Sequence, residues 1–247
     1  MEVVNELLGY SRFKIIQDPE MFHFSIDSIL LAYFATITKK MKKVVDFCSG
    51  NFPIPMYLTL RTDAKLYGVE IQERAVKLAK DSLALNDLSN RIEVLNRDVK
   101  GVNEYFGPTS VDLVLCNPPF FKVNEHSNLN ESDAKTYARH EVLITLEEVI
   151  KESSIILKDG GYLAMVHRPE RLQEILLLME KYHISPSRMQ IVYPKEGKDA
   201  NHLLIEGRKG ANKMPNLQIL SPLFVYDENN RWTNDILKRY NYGKEDI

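Results

Sequence analysis

Cysteine is scarce in this chain: Cys48 and Cys116 are its only two in 247 residues. Each ends an apolar run that reads as a buried strand, so reduced core thiols are expected rather than a disulfide framework. No Cys/His spacing suits zinc, and no metal is implied. A long hydrophobic run is also missing. Nothing approaches the roughly 20 apolar residues needed to cross a bilayer. The start, Met1-Glu2-Val3-Val4-Asn5-Glu6, is acidic and lacks the basic-then-apolar order of a secretory leader, so the cytoplasm is the expected compartment. Neither charge sign is in excess: 32 basic against 34 acidic residues give a net charge of −2. That balance excludes a chain that grips nucleic acid with its whole surface, while leaving room for a local basic patch. There is no internal repeat, no low-complexity stretch, and no glycine-rich dinucleotide loop of the kind a nucleotide-binding oxidoreductase needs.

From Val44 onward, strand-like and helix-like patterns alternate. Strands are expected at 43–48, 66–70, 92–95, 111–116 and 162–166. Helices are expected at 54–61, with Pro55 in the first turn where a missing N–H costs nothing, at 72–86 and at 171–182. In the second of these, Ala75, Leu78, Ala79, Ser82 and Leu83 share one face. Thr145-Leu146-Glu147-Glu148 is a capping box that opens a helix running to about 157. Asp159-Gly160-Gly161 reads as a turn, and 190–193 with 203–206 as a closing strand pair. This order predicts an α/β fold with a doubly wound, mostly parallel sheet and an antiparallel tail. Two regions fall outside the alternation. Residues 1–40 form an N-terminal cap segment with an amphipathic helix through Ile29, Leu30, Tyr33, Phe34 and Ile37, leaving 41–247 as the main domain. Residues 121–139 are polar and aperiodic, which suits a lid.

The sequence after the fourth strand carries the most chemical information. Asn117-Pro118-Pro119-Phe120 puts an amide, a rigid carbonyl and an aromatic ring at the carboxyl end of a sheet. A conjugated NH₂ is a poor nucleophile because its lone pair is spread into a ring or carbonyl. Two acceptors, the Asn117 side-chain oxygen and the Pro118 carbonyl, can take its two N–H bonds and aim the lone pair. Phe120 offers a stacking surface for an extruded base. The plain alternative is a proline turn. In a doubly wound sheet, ligands sit beyond the carboxyl ends of the strands. There lie Asp46, Cys48, Ser49 and Gly50, then Glu70 with Ile71, then Asp98 with Val99, then Asn117. Glu70 is placed to accept ribose hydroxyls, Asp98 could accept from an adenine amino group, and Gly50 allows close backbone approach. Taken singly, each acid could equally be a solvated loop charge.

This order of an Asp-x-Cys-Ser-Gly-Asn loop, two acids and Asn-Pro-Pro-Phe resembles the class I S-adenosylmethionine-dependent methyltransferases that act on amino groups. Ile15-Ile16-Gln17-Asp18-Pro19, Phe24-Ser25-Ile26-Asp27-Ser28, Arg139-His140-Glu141, His167-Arg168-Pro169-Glu170-Arg171 and Val192-Tyr193-Pro194-Lys195 are similar to segments of the bacterial tRNA(Val) adenine-N6 methyltransferases. The resemblance covers nearly the whole chain. It implies a Rossmann-like, seven-stranded sheet with helices on both faces, S-adenosylmethionine as cofactor, and tRNA as partner. By the same resemblance Asn117, Pro118 and Phe120 would be catalytic. Asp27, Asp46, Cys48, Ser49, Gly50, Glu70, Ile71, Asp98, Val99 and Asn117 would hold the cofactor, with Asp27 near its ammonium unless Ser25 merely caps the following helix. Phe121, Arg139, His140, Arg168 and Lys195 would touch the substrate, although Arg139 and His140 also read as a surface pair. Arg171 and Lys198 join Arg168 and Lys195 as RNA-contact candidates, while Lys39, Lys40, Lys42 and Lys43 read as a solvated edge. The same Asn-Pro-Pro-aromatic end serves guanine-N2, DNA adenine and protein glutamine methyltransferases. One departure stands out. The family loop reads Gly-Asn-Gly, whereas this chain has Gly50-Asn51-Phe52. That leaves open a scaffold that binds RNA without turnover, should Phe52 fill the cofactor site.

Overall fold

The computed structural model describes residues 2–7, 10–19, 21, 26–118, 120, 143–210 and 216–241. The N-terminal segment supplies β1 (Val3–Leu7), β2 (Tyr10–Gln17) and α1 (Ile26–Phe34). The alternating units follow: β3 (Lys43–Phe47), α2 (Pro53–Leu58), β4 (Lys65–Glu70), α3 (Glu73–Leu85), β5 (Ile92–Asn96), α4 (Asn103–Phe106) and β6 (Val111–Cys116). After them come α5 (Leu146–Ile156), β7 (Leu157–His167), α6 (Leu172–Lys181), β8 (Ile184–Tyr193) and β9 (His202–Lys209). Two-residue strands β10 (Gln218–Ile219) and β11 (Leu223–Phe224), and then α7 (Asn234–Tyr240), complete the described chain.

Seven long strands run in the order β5-β4-β3-β6-β7-β9-β8, and β10 and β11 extend the sheet along β8. All pair in parallel except β9, which is antiparallel to both β7 and β8. The strand order reverses between β3 and β6, whose ends meet at Phe47 and Cys116. A crevice opens at such a reversal, beyond the carboxyl ends of the strands.

Side-chain alternation along each strand feeds two cores. Val44, Leu66, Leu113 and Leu115 face α1, α2 and α3. Val45, Phe47, Val114 and Cys116 face α4, α5 and α6. The expected helical face of α3 is the buried one, and the capping box of α5 forms with Thr145 and Glu148 exchanging both bonds. Asp159-Gly160-Gly161 does not begin a strand. β7 runs from Leu157 through His167, and the extra residues appear as a register shift opposite Val111 and Leu113 on β6.

The N-terminal hairpin of β1 and β2 was not anticipated as strands. Its outer edge is closed by polar groups of α3. The Ser82 hydroxyl accepts the Ile16 N–H at 2.9 Å, and the Asn86 amide both accepts from Lys14 N–H at 2.8 Å and donates to Lys14 C=O at 2.6 Å. A strand edge that would otherwise be open is thereby paired. Among the described residues, no helix is long and apolar enough to cross a membrane.

Candidate active site

The loop after β3 turns on three left-handed residues: Cys48 at φ 54°, Gly50 at φ 55° and Phe52 at φ 71°. Only glycine adopts that region freely. For the other two, the backbone costs about 1–2 kcal/mol each, so the surroundings must hold the turn. They do so through Glu70 at the end of β4. One carboxylate oxygen accepts the Gly50 N–H at 2.9 Å and the other accepts the Gln72 N–H at 2.9 Å. Ser49 N–H also bonds Val69 C=O at 3.1 Å. Burial raises the Glu70 carboxyl above its ordinary value, and those backbone N–H groups work against the rise.

Asp46 lies beneath this loop and is almost wholly buried. Ser49 hydroxyl donates to its Oδ2, while Oδ1 is buried with no partner among the described residues. Burial pushes this carboxyl up to about 8; the Ser49 bond opposes the rise and the nearby Glu70 adds to it. An ideal Cβ at Gly50 would meet nothing within 4 Å, so the space in front of that backbone is open. A loop open at its glycine, an orphaned carboxyl oxygen and a strand-end acid fit S-adenosylmethionine, which carries ribose hydroxyls, an ammonium and a sulfonium.

Phe52 does not lie in that space. Its ring is 0% exposed and packs over Gly68 of β4. A Cβ added at Gly68 would come within 2.1 Å of Phe52 Cε1 and 2.3 Å of Cζ. The ring occupies the volume that a side chain on the strand would fill. A ring lining an open cleft would keep exposed surface, and this one keeps none. The missing loop glycine is therefore compensated by a glycine on the adjacent strand.

Asn117 and Pro118 follow β6 directly at the strand-order reversal. Asn117 is half-buried and Pro118 is buried. Phe120, half-buried, meets groups from two distant parts of the chain. The His167 ring at the end of β7 lies 5.4 Å away between centroids, and the His202 ring at the start of β9 lies 6.4 Å away. Arg171, forked onto Glu174 at 2.9 and 3.0 Å, donates to Phe120 C=O at 3.5 Å. His202 Nε2 is 2.8 Å from Asp27 Oδ1. Asp27, expected near a cofactor ammonium, thus has a histidine among its protein partners. His202 was missed because nothing in its local sequence marks it; it reaches Phe120 only because β9 runs antiparallel and starts beside the end of β7.

The other expected residues divide. Ile71 stands 40% exposed beside Glu70, as a cleft-rim apolar group would, and Val99 is buried. Asp98 bonds its own loop, with Oδ1 accepting Lys100 N–H at 2.9 Å and Oδ2 3.6 Å from Lys100 Nζ, so its acceptors are partly engaged. Lys195 donates to Glu228 C=O at 2.7 Å and Asn230 Oδ1 at 3.2 Å, tying two loops together. Arg168 lies 3.8 Å from Glu170. Ser25, Phe121, Arg139 and His140, and the lid expected at 121–139, fall outside the described residues.

Comparison with known proteins agrees with this geometry. The methyltransferase small domain family matches residues 12–183. A Porphyromonas gingivalis protein named tRNA1(Val) (adenine(37)-N6)-methyltransferase is 28% identical over 209 residues, covering 82% of this chain and 81% of its own. A protein of the same name from Aeromonas hydrophila is 25% identical, covering 85% and 86%. Among solved structures, one from Agrobacterium tumefaciens, described as a predicted O-methyltransferase, superposes with a TM-score of 0.70 at 23% identity over 90% of this chain and 98% of that one. Pyrococcus horikoshii TYW2 in complex with MeSAdo gives 0.58 at 16% identity, over 84% and 70%. Both share the fold. The chain belongs to the methyltransferase small domain family and is an S-adenosylmethionine-dependent methyltransferase.

Proposed function

We propose that the chain transfers a methyl group to the exocyclic N6 of adenine in a tRNA, with adenine 37 of tRNA(Val) as the target its relatives' names suggest. The observation that carries the reading is Asn117-Pro118 at the strand-order reversal, with a half-buried aromatic, Phe120, one step beyond. Asn117 Oδ1 and Pro118 C=O take the two N–H bonds of the amino group and turn its lone pair toward the methyl. Phe120 stacks on the base. Orientation and preorganised polar contacts supply most of the acceleration, because the nitrogen becomes acidic only as the methyl arrives. S-adenosylmethionine would supply the activated methyl; Glu70 would hold its ribose hydroxyls, Asp98 would accept from its adenine amino group, and Asp46, Gly50, Ile71 and Val99 would complete its site. Phe121, Arg139, His140, Arg168 and Lys195 are the residues assigned to RNA contact.

The competing reading, an RNA-binding scaffold silenced by Phe52, loses its support when the ring is fully buried against Gly68. Other amino acceptors remain the alternatives: guanine N2 of ribosomal RNA, DNA adenine or a protein glutamine. Incubation with labelled S-adenosylmethionine and, separately, tRNA, ribosomal RNA, DNA and release factor distinguishes them. N6-methyladenosine in digested tRNA is the expected product. Label in glutamine or N2-methylguanine alone would overturn the assignment.

A further inference from the structure

His167, the last residue of β7, has an entirely buried ring. Its Nδ1 accepts the Arg168 backbone N–H at 2.8 Å. In the neutral ring the proton therefore sits on Nε2. Burial, with Arg171 nearby, holds the imidazole down to about 3, so the neutral form prevails at physiological pH. Nε2–H is then a buried donor, and among the described residues it has no nitrogen or oxygen partner. Leaving such a donor unmet costs about 1–3 kcal/mol. A buried apolar ring of similar size would avoid that cost, so the imidazole calls for an explanation.

Phe120 supplies one. Its ring is 5.4 Å from the His167 ring between centroids, with the planes inclined at 55°. At that separation and tilt, an N–H on the imidazole edge can meet the negative face of the benzene ring. The other constraints on Phe120 leave little freedom. Arg171 holds its carbonyl, and the His202 ring, fixed by Asp27, stands edge-on at 69°. We propose that His167 is a positioning residue whose Nε2–H donates to one face of Phe120 and sets the tilt of that ring, leaving the opposite face for the target base. The inference rests on the reading of Phe120 as the stacking surface. His202 and Asp27 provide the lateral stop, joining the N-terminal segment to the same ring.

The contact and its catalytic consequence are tested separately. In nitrogen-edited NMR of the intact protein, the His167 Nε2–H proton should be shifted upfield by the ring current, and the shift should vanish in Phe120→Leu. An unshifted proton would overturn the contact. In kinetics, His167→Phe keeps an apolar ring in place and removes the donor. S-adenosylhomocysteine affinity should be retained while kcat falls about 10–100-fold, the scale of a misplacement near 1 Å. The variant Phe120→Leu/His167→Phe should be no slower than Phe120→Leu alone, because His167 acts through Phe120. Losses that multiply, or a His167→Phe variant at the wild-type rate, would overturn the positioning role. A Phe120→Leu variant at the wild-type rate would instead sink the stacking assignment itself, and with it any reason to position the ring.

Discussion

Replacing Phe52 by glycine would restore the family's loop sequence, yet the packing of this protein predicts that the change harms it. Removing a buried phenylalanine side chain costs about 3–5 kcal/mol. Relief of the left-handed backbone at φ 71° returns about 1–2 kcal/mol. The net loss for Phe52→Gly is therefore about 1–4 kcal/mol. The reciprocal perturbation is Gly68→Ala. Its Cβ would sit 2.1–2.7 Å from three atoms of the Phe52 ring, well inside the roughly 3.5–4 Å of carbon–carbon contact. A fully buried ring has nowhere to swing, so overpacking costs about 1–3 kcal/mol. In Phe52→Ala/Gly68→Ala the new methyl enters the vacated volume, and most of the clash disappears. Urea denaturation of wild type, Phe52→Ala, Gly68→Ala and the double variant closes a double-mutant cycle. The double variant should be more stable than the sum of the single losses predicts, by at least about 1 kcal/mol, against the 0.3–0.5 kcal/mol scatter of independent sites. Calorimetry with S-adenosylhomocysteine should show that Phe52→Gly binds no more tightly than wild type. Additive losses would refute the packing argument, and tighter binding by Phe52→Gly would place the ring in the cofactor cleft after all.

Asn117→Ala should leave S-adenosylhomocysteine affinity intact while methyl transfer falls about 100-fold or more, the scale of losing one preorganised polar contact; a parallel loss of cofactor affinity in calorimetry would contradict the role. Glu70→Ala should weaken cofactor binding by about 1–3 kcal/mol through lost charge-assisted hydrogen bonds, and unchanged affinity would put the ribose elsewhere. Asp46 keeps its proton in the folded state up to about 8, whereas the unfolded carboxyl releases it near 3.8. Between those values the folded chain binds more protons, so stability falls as pH rises through the window. Denaturation midpoints of Asp46→Asn should lack that component, and identical pH slopes for the two proteins would show that Asp46 is ionised when folded. Thr145→Ala removes the capping box of α5 and should cost about 1 kcal/mol, read as a shift in the urea midpoint at unchanged slope.

Local signals carried most of the fold. The apolar runs of β3, β4 and β6 and the apolar face of α3 are visible without tertiary information, and so is the Thr145 cap. Placing Asn117 at the carboxyl end of a sheet strand needed only the alternation of elements; that its strand borders the order reversal is seen in the structure. What escaped depends on contacts between distant residues. β1 and β2 gain their second edge from Ser82 and Asn86 of a helix far along the chain. The pairing of Asp27 with His202 exists only because β9 returns antiparallel between β7 and β8. Phe52 alone reads as a threat to the cofactor loop; Gly68 alone reads as an unremarkable strand glycine. Each explains the other only in three dimensions. α7 was missed because seven residues with one buried apolar side chain, Ile236, give almost no periodic signal.

The Asp27–His202 link has a consequence for how the protein comes into being. One partner emerges early from the ribosome and the other only after roughly four-fifths of the chain has been made. The pocket around Phe120 cannot be finished while the parallel strands alone are present, however well they have collapsed. A nascent or prematurely ended polypeptide can therefore hold much of the sheet and the nucleoside crevice, yet lack the lateral wall that steadies the aromatic ring. The surroundings of Phe120 are completed late in synthesis, with the docking of β9 against β7 and β8.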